Sequence, residues 1–367
     1  MEKTTVSRHE TQPGTRFGTR RNGSAGPGQR RQVRALSNVD PALRRCWLAV
    51  ARSAAVGTTP VKTWLLGEPY VVVRIDGEVV VLEDRCPHRL APLSAGEVVD
   101  STLECAYHGW RFDGTGRCVE IPSVGKAASI PQKARCGAPY GIAERYGLVF
   151  VALDAPLVDL PEVDAFGDPT RVRVDLDPFS GRYGAAQLID NQLDVAHFAY
   201  LHRETFGSSE ARVVPGCEIV RHRWGFETTM SIPITARNDP AAASGDHPVE
   251  QERTMRYRYL APFFVELELT YPVMGGSNVI VFFVQPETPE RSTMYVTLLL
   301  EQPGGFTAGE LADRVAFEYR VVDEDLALQE RFDDLALPLD VTTECHVRTD
   351  KASLELRRLL AQIVQAP

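Results

Sequence analysis

The sequence predicts an α+β fold, in which a small β domain precedes a larger domain with helices on one face of an antiparallel sheet. Three observations predict it. Short β-branched runs separated by a turn follow residue 68, long alternating runs fill the second half of the chain, and helical patterns flank those long runs. The order helix, sheet, helix is typical of helices packed against one sheet. The expected boundaries are 1–37 for a basic tail, 38–155 for the small domain and 156–367 for the larger one.

The bulk composition is that of an ordinary globular chain. It has 367 residues, 44% hydrophobic and 24% charged, enough for about two domains. No apolar run reaches the ~18 residues of a membrane span, and the first residues lack the apolar segment of a secretory signal. Seven cysteines are few and odd in number. They predict free thiols in a reducing cytoplasm rather than a disulfide framework.

The opening segment, residues 1–37, is rich in Gly, Ser and Arg and is predicted to be disordered. It carries a formal charge of +6, from seven Arg and one Lys against two Glu, so the rest of the chain is more acidic than the total of −9. An acidic body argues against nucleic acid as a partner. We therefore expect neither nucleic-acid nor membrane binding.

The small domain is predicted from its hairpin and its closing strand. The runs 69–76 and 77–84 are β-branched and meet at Asp76-Gly77, a sequence that favours a tight hairpin turn. The run 146–153 predicts a closing strand, and the prolines that follow it mark a linker.

The larger domain begins with a predicted helix over 187–202. Four period-2 runs then predict an antiparallel sheet; they cover 226–234, 263–271, 278–286 and 293–301. A long amphipathic helix is predicted over 309–335, and a short terminal helix over 351–364.

Residues 86–110, CPHRLAPLSAGEVVDSTLECAYHGW, hold two cysteine–histidine pairs. Cys86 and His88 form C-x-H, and Cys105 and His108 form C-x-x-H. A structural zinc ion accepts two Cys and two His, but a zinc finger usually takes both cysteines from one pair and both histidines from the other. A Rieske [2Fe–2S] centre has two Cys on one iron and two His on the other, which two loops giving one of each would supply.

The wider segment 86–123 resembles the Rieske domain of ring-hydroxylating oxygenases, including HGW and the downstream D-x-x-G. The resemblance implies a [2Fe–2S] cluster bound by these four residues. Such a cluster relays one electron at a time.

A second motif, NQLDVAHFAYLH, spans 191–202. Its histidines, His197 and His202, converge on one metal only if the helix loosens between them. The spacing N-x-x-D-x-x-H-x-x-x-x-H resembles the mononuclear iron motif of Rieske oxygenases. The resemblance implies that both histidines bind iron, that Asp194 bridges one of them to the Rieske histidine His108 of an adjacent subunit, and that Asn191 lies near the iron as a catalytic group.

A non-haem iron(II) oxygenase site needs a carboxylate beside its two histidines. The predicted helix 309–335 offers several. At about 100° per residue, Asp325 lies within roughly 40° of Leu311 on the apolar stripe. Glu318 and Asp333 also lie near that stripe, so the geometry leaves the choice open.

Asp323 and Glu324 point away from the stripe and are expected to be solvated. The segment EDLALQE, residues 324–330, resembles the vanillate demethylase-like branch of the family, in which the aspartate is the third ligand. The resemblance therefore selects Asp325.

The resemblance implies a terminal oxygenase of a multicomponent Rieske system. Dioxygen and electrons from NAD(P)H, passed through a reductase and a ferredoxin, would monooxygenate a hydrophobic aromatic or polycyclic small molecule by hydroxylation or oxidative demethylation. It also implies a helix-grip catalytic domain and a homotrimer. The chain has no convincing G-x-G-x-x-G motif that would place a nicotinamide or flavin site on it.

Three alternatives stay open at this point. One is a natural-product tailoring oxygenase that performs oxidative cyclisation or dihydroxylation. Another is an electron carrier whose second domain binds a ligand without catalysis. The third is a zinc-stapled binding module with no redox chemistry.

Overall fold

The computed structural model describes residues 35–125, 129–209, 211–237 and 239–366. The predicted basic tail therefore lies outside the described residues except for 35–37. Ala35–Leu36 form strand β1, which pairs with β20, Leu337–Pro338. Within the described ranges, no helix is both long and apolar enough to cross a membrane.

The first half of the chain forms three small antiparallel sheets, with the strand orders β3-β4-β5, β6-β7-β8-β9 and β10-β11-β2. Their strands are β2 (Leu48–Arg52), β3 (Val61–Leu65), β4 (Glu68–Ile75), β5 (Glu78–Glu83), β6 (Glu97–Val99), β7 (Thr102–Glu104), β8 (Arg111–Phe112), β9 (Cys118–Glu120), β10 (Gly141–Arg145) and β11 (Leu148–Ala152). The predicted hairpin is confirmed as β4–β5. Asp76 and Gly77 form its turn with φ of 52° and 88°, as a two-residue turn of this kind requires.

The second half contains one large antiparallel sheet, ordered β12-β19-β18-β17-β16-β15-β14, with β13 also paired to β19. Its strands are β12 (Val172–Asp175), β13 (Phe179–Gly181), β14 (Val220–Arg221), β15 (Gly225–Thr235), β16 (Glu250–Leu260), β17 (Phe264–Thr270), β18 (Ser277–Thr288) and β19 (Arg291–Glu301). The four predicted runs are confirmed as β15, β17, β18 and β19. Strand β16, which the sequence analysis missed, lies between β15 and β17.

The helices are α1 (Ala185–Leu193), α2 (Phe198–Leu201), α3 (Pro240–Ser244), α4 (Ala308–Gln329) and α5 (Lys351–Gln365). Two of the predicted helices were too long. The helix expected over 187–202 is interrupted, because the Asp194 carboxylate accepts a hydrogen bond from the Ala196 amide and draws the backbone out of the helix. The helix expected over 309–335 ends at Gln329, and Arg182 binds the Phe332 and Asp333 carbonyl oxygens beyond that end.

The face of the large sheet that packs against the helices is buried along its length, and the opposite face is buried at β17, β18 and β19. On one face, Tyr257, Met255 and their neighbours pack in a core that also contains residues of α1, α4 and α5. On the other face, Phe264 and Phe283 pack with Phe150 of β11. The sheet thus lies between a layer of helices and the β10-β11-β2 sheet. A separate core of β4, β5, β7 and β8 residues surrounds Cys86 and Cys105.

Helix α5 is held to α1 by buried charges. The Arg357 side chain, 2% exposed, donates to Asp190 of α1 at 2.9 Å and lies 2.7 Å from Glu344. Both neighbouring groups are carboxylates, so the buried guanidinium is paired. The C-terminal helix therefore positions the helix that leads into the second motif.

Candidate metal centres

Two loops of the same shape carry the first motif. In one, the Leu90 amide donates to the Cys86 carbonyl oxygen at 2.8 Å; in the other, the Gly109 amide donates to the Cys105 carbonyl oxygen at 2.9 Å. Leu90 and Gly109, each four residues after its cysteine, adopt φ of 59° and 68°. The glycine of HGW is thus placed where a left-handed backbone is needed. Each loop turns its cysteine inward and its histidine toward the other loop.

The four side chains meet at the tip formed by these loops. Both sulfur atoms are buried, and the His88 and His108 ring centroids are 4.5 Å apart. The Trp110 ring stacks on His88 at 4.6 Å. The His88 Nδ1 atom is buried and has no protein hydrogen-bond partner. A buried nitrogen without a protein partner suits a metal ligand.

The protonation states also suit metal binding. Burial raises the pKa of the Cys86 thiol to about 11, so the sulfur ionises only beside a cation. Burial and the neighbouring His108 and Arg89 lower the pKa of His88. The imidazole is therefore neutral and able to bind a metal.

The spacing of these donors disfavours one zinc ion. Tetrahedral zinc would bring its donor atoms within roughly 4 Å of one another. Within the described part of the chain, donor atoms converge in this way at His197, His202 and Asp325, where all three lie within 4.8 Å of one another. The four side chains at the tip do not form such a group among the described residues, and a two-iron cluster, in which each iron takes its own pair of side chains, does not require one.

The second motif places its two histidines on either side of a break in the helix. On a continuous helix, residues five apart point about 140° away from each other. Because α1 ends at Leu193 and α2 begins at Phe198, the chain turns and brings the His197 and His202 Nε2 atoms to 3.1 Å.

Asp325 of α4 completes this group. Its Oδ1 atom lies 3.4 Å from His197 Nε2 and 3.2 Å from His202 Nε2. Donor atoms about 2.1 Å from a common ion, at right angles, lie about 3 Å apart. The three atoms therefore fit one face of an octahedron and leave the opposite positions open.

A second carboxylate holds each imidazole from behind. Asp194 Oδ2 lies 3.1 Å from His197 Nδ1, and Glu324 Oε2 lies 2.8 Å from His202 Nδ1. Thr205 donates its hydroxyl to the same Glu324 oxygen at 2.8 Å. Such contacts fix the ring orientation and leave Nε2 as the metal-facing atom. The expectation that Glu324 is solvated was wrong, whereas Asp323 is exposed as predicted.

These carboxylates favour positive charge in the site. Burial lowers the pKa of His197, but hydrogen bonds to Asp194 and Asp325 outweigh it and raise that pKa to about 9. Burial likewise raises the pKa of Asp325, yet hydrogen bonds from His197 and His202 hold it well below its ordinary value. The pKa of Asp194 is lowered, because contacts with His197 outweigh its burial. A divalent cation supplies the charge that this group stabilises.

The other acidic candidates lie outside this group. Glu318 is buried in the adjoining cavity but is not one of the three converging donors, and Asp333 is exposed. Asn191 lines the cavity too, and its Oδ1 atom accepts a hydrogen bond from Gln329 at 3.2 Å.

The three donor atoms face a cavity of about 60 Å³ between the large sheet and α4. Most of its walls are apolar; they include Phe198, Leu267, Leu269, Ile280, Phe282 and Val322. Arg253, Tyr257 and Glu318 add polar groups. The sequence analysis missed Arg253, although its place two residues from buried Met255 on an alternating strand was a signal.

Comparison with known proteins finds a family match over each of the two motifs. Residues 46–131 match the Rieske [2Fe-2S] domain, and residues 184–366 match the vanillate O-demethylase oxygenase C-terminal domain. Methylxanthine N3-demethylase NdmB of Pseudomonas putida is 28% identical over 89% of this chain and 91% of its own length. Dicamba O-demethylase, oxygenase component, of Stenotrophomonas maltophilia is 33% identical over 47% of this chain and 53% of its own.

A solved structure shows the same similarity. The structure of Pseudomonas putida CBB5 NdmA with caffeine superposes with a TM-score of 0.77 at 26% identity, covering 90% of this chain and 93% of that chain. The similarity therefore extends over most of both chains.

Proposed function

The chain belongs to the Rieske non-haem iron oxygenases, and on this premise we propose that it is the oxygen-activating component of a multicomponent monooxygenase. As a member of this oxidoreductase family, it uses a Rieske [2Fe–2S] cluster and a mononuclear iron. Bound together, these groups deliver electrons one at a time and activate dioxygen. The observation that carries the proposal is the convergence of His197, His202 and Asp325 at the wall of an apolar cavity.

The four tip residues are proposed to hold the cluster, with Cys86 and Cys105 on one iron and His88 and His108 on the other. His197, His202 and Asp325 are proposed to hold the mononuclear iron. Support comes from the buried His88 Nδ1 atom, which has no protein partner, and from the donor separations of 3.1 to 3.4 Å.

The proposed reaction inserts one oxygen atom into a C–H bond. The substrate C–H, dioxygen, two electrons and two protons become C–OH and water. When the carbon is a methyl group on nitrogen or oxygen, the resulting hydroxymethyl group leaves as formaldehyde and the heteroatom takes a proton. The demethylases named among the relatives support oxidative demethylation, and the apolar walls support an aromatic or polycyclic substrate.

The residues around the site are proposed to orient the reactants and exclude water. Asp194 and Glu324 hold the imidazole rings through their Nδ1 atoms. Phe198 and Phe282 close the cavity with apolar surface, which excludes water from the reacting carbon. Asn191 is half-buried beside the site, and its buried Nδ2 atom has no hydrogen-bond partner, which suits contact with substrate or dioxygen.

A homotrimer is proposed for the transfer of electrons between copies. His108 is exposed at the cluster tip, and the Asp194 side chain is 38% exposed beside His197. Both groups therefore reach the surface of one chain, where the tip of a second copy could meet Asp194. Exposed Leu90 and Tyr107, which flank the tip, give this contact an apolar rim.

Several relatives are named as components or subunits of larger systems. Electrons from NAD(P)H are accordingly proposed to arrive through a reductase, a ferredoxin or both. A reducing cytoplasm is proposed as the compartment, since the structure describes all seven cysteines as free.

The test is product analysis under ¹⁸O₂ with purified protein, a surrogate reductase and ferredoxin, and a panel of methoxy- and N-methyl aromatics. A monooxygenase gives a product heavier by one oxygen, or a demethylated product with formaldehyde. The His197→Ala variant should keep the reduced-cluster spin signal and lose all turnover. If that variant still forms product, the proposed active site is wrong. Electron transfer without any oxygenated product would favour the electron-carrier alternative.

A further inference from the structure

Trp110 stacks on one of the two histidines at the tip. The two loops are closed in the same way, because the Cys86 amide donates to the Ala91 carbonyl oxygen and the Cys105 amide donates to the Trp110 carbonyl oxygen, each at 2.8 Å. The residue five positions after the cysteine is therefore alanine in one loop and tryptophan in the other. At this equivalent position, a large ring is present in the second loop only.

The indole lies almost parallel to the His88 ring. The ring centroids of Trp110 and His88 are 4.6 Å apart, and the two ring planes differ by 5°. Trp110 also packs against the apolar core that contains Cys86 and Cys105. Its Nε1 atom is buried and has no hydrogen-bond partner among the described residues. Packing rather than a hydrogen bond therefore holds the indole against His88.

The second histidine has a different environment. Its aromatic neighbour is Tyr107, whose ring plane is tilted by 38° to that of His108 and which is 64% exposed. His108 is itself exposed, whereas His88 is half-buried. Solvent therefore reaches the His108 ring more freely than the His88 ring.

Stacking on a ligand ring affects the two oxidation states of a cluster differently. The face of an indole carries the negative part of its quadrupole, so it attracts positive charge. An imidazole bound to oxidised iron carries more positive charge than the same ring bound to reduced iron. The indole also keeps water from the cluster, and a water-poor environment disfavours the more negative, reduced state. Both effects favour the oxidised cluster and lower its reduction potential.

We propose that Trp110 is a positioning residue of the electron relay, which lowers the reduction potential of the [2Fe–2S] cluster by stacking on His88. A lower potential makes the reduced cluster a stronger donor of the single electron that it passes on. The inference rests on the proposed function, because it concerns the relay step of that system.

The test is a potentiometric titration of the purified protein, followed by the visible spectrum of the cluster. Trp110→Leu keeps an apolar side chain and removes the ring face, so the ratio of reduced to oxidised cluster at a fixed potential should rise by about 2- to 10-fold. This change corresponds to a rise of about 20–60 mV in the midpoint potential, at about 59 mV per tenfold change for one electron. Trp110→Phe keeps an aromatic face and should retain most of the wild-type potential.

Trp64→Leu is the matched control, since it removes a tryptophan that lies on β3 and is 37% exposed. This control should keep the wild-type potential. The electron spin signal of the reduced cluster gives a second readout, because a less restrained His88 ring in Trp110→Leu should broaden its lines. A change in folding stability alone would move neither the potential nor the line width.

The inference is overturned if Trp110→Leu has the wild-type potential or a lower one, or if Trp64→Leu raises the potential as much. If Trp110→Leu assembles no cluster, Trp110→Met, whose flexible side chain fills irregular gaps, takes its place. Failure of both variants to hold a cluster also overturns the inference, because stacking would then serve assembly rather than potential. A wild-type protein that forms no cluster contradicts the proposed function and this inference with it, whereas an unchanged potential contradicts the inference alone.

Discussion

Replacing Glu324 with alanine removes the carboxylate that holds the His202 ring from behind. Glu324 Oε2 accepts hydrogen bonds from His202 Nδ1 and from the Thr205 hydroxyl, each at 2.8 Å. A hydrogen bond to a charged group contributes about 1.5–3 kcal/mol, and about 1.4 kcal/mol corresponds to a tenfold change in affinity. His202 is 1% exposed, so water cannot readily replace the lost acceptor. We therefore expect iron affinity to fall by about 10- to 100-fold, in agreement with other carboxylate–histidine–metal contacts.

The assay is iron content after equilibrium dialysis against a graded chelator, with the visible spectrum of the [2Fe–2S] cluster as an internal reference. Glu324→Gln keeps a neutral acceptor and should lose less affinity than Glu324→Ala. Asp323→Ala, an exposed change one residue earlier on α4, is the matched control. Equal iron retention by Glu324→Ala and Asp323→Ala would refute the role assigned to Glu324.

Three further predictions follow from particular contacts. Asp194→Asn keeps an oxygen acceptor for His197 Nδ1–H, so the variant should retain iron. Reoxidation of its reduced cluster, followed by stopped flow, should be slower than in the wild type; loss of the iron would contradict this. Gly207→Ala places a Cβ against the Phe198 carbonyl oxygen and should lower the free energy of unfolding by about 1–3 kcal/mol, whereas Gly216→Ala, with open space around it, should not. Arg357→Met removes the buried guanidinium that pairs with half-buried Asp190 and exposed Glu344 and should cost about 1.5–3 kcal/mol in denaturant unfolding; a stability loss below about 0.5 kcal/mol would show that this network is dispensable.

The parts of the fold that the sequence predicted well are those set by local rules. The hairpin at Asp76-Gly77 depends on two adjacent residues with positive φ. The cluster loops are equally local, since each spans the few residues from a cysteine to a left-handed residue four positions later. Strands β15, β17, β18 and β19 were identified from alternation and β-branched composition without knowledge of their partners, although β16, which alternates as clearly, was missed.

The parts that the sequence predicted poorly depend on distant contacts. A helical projection placed Glu324 away from the apolar stripe. The face of α4 that lines the cavity is wider than that stripe, so a residue beside the stripe can still reach the site. That face includes Val321, Val322 and Asp325, and Glu324 lies at its edge, close enough to reach His202. Arg253 was missed because strand β16 itself was not predicted, and without that strand nothing separates the inward position of Arg253 from the outward position of Arg256.

The helix break before His197 was not predicted either, although its cause is local. No glycine or proline occurs between residues 187 and 202, so local propensity predicts a continuous helix. The Asp194 side chain ends α1 instead, by accepting the Ala196 amide. Asp194 also contacts His197, so one carboxylate both ends the helix and orients the ring that follows.

Glu324 follows His202 by 122 residues, and this separation has a consequence for biosynthesis. During synthesis the two histidines leave the ribosome well before the carboxylates of α4 are made. At that stage the nascent chain has only a pair of histidines, which binds a metal ion weakly. High affinity arises only after the intervening strands have closed and α4 has docked. The proposed iron site therefore gains its full set of ligands only after α4 has been made and has docked, and divalent ions that bind imidazole and carboxylate compete for it from that point.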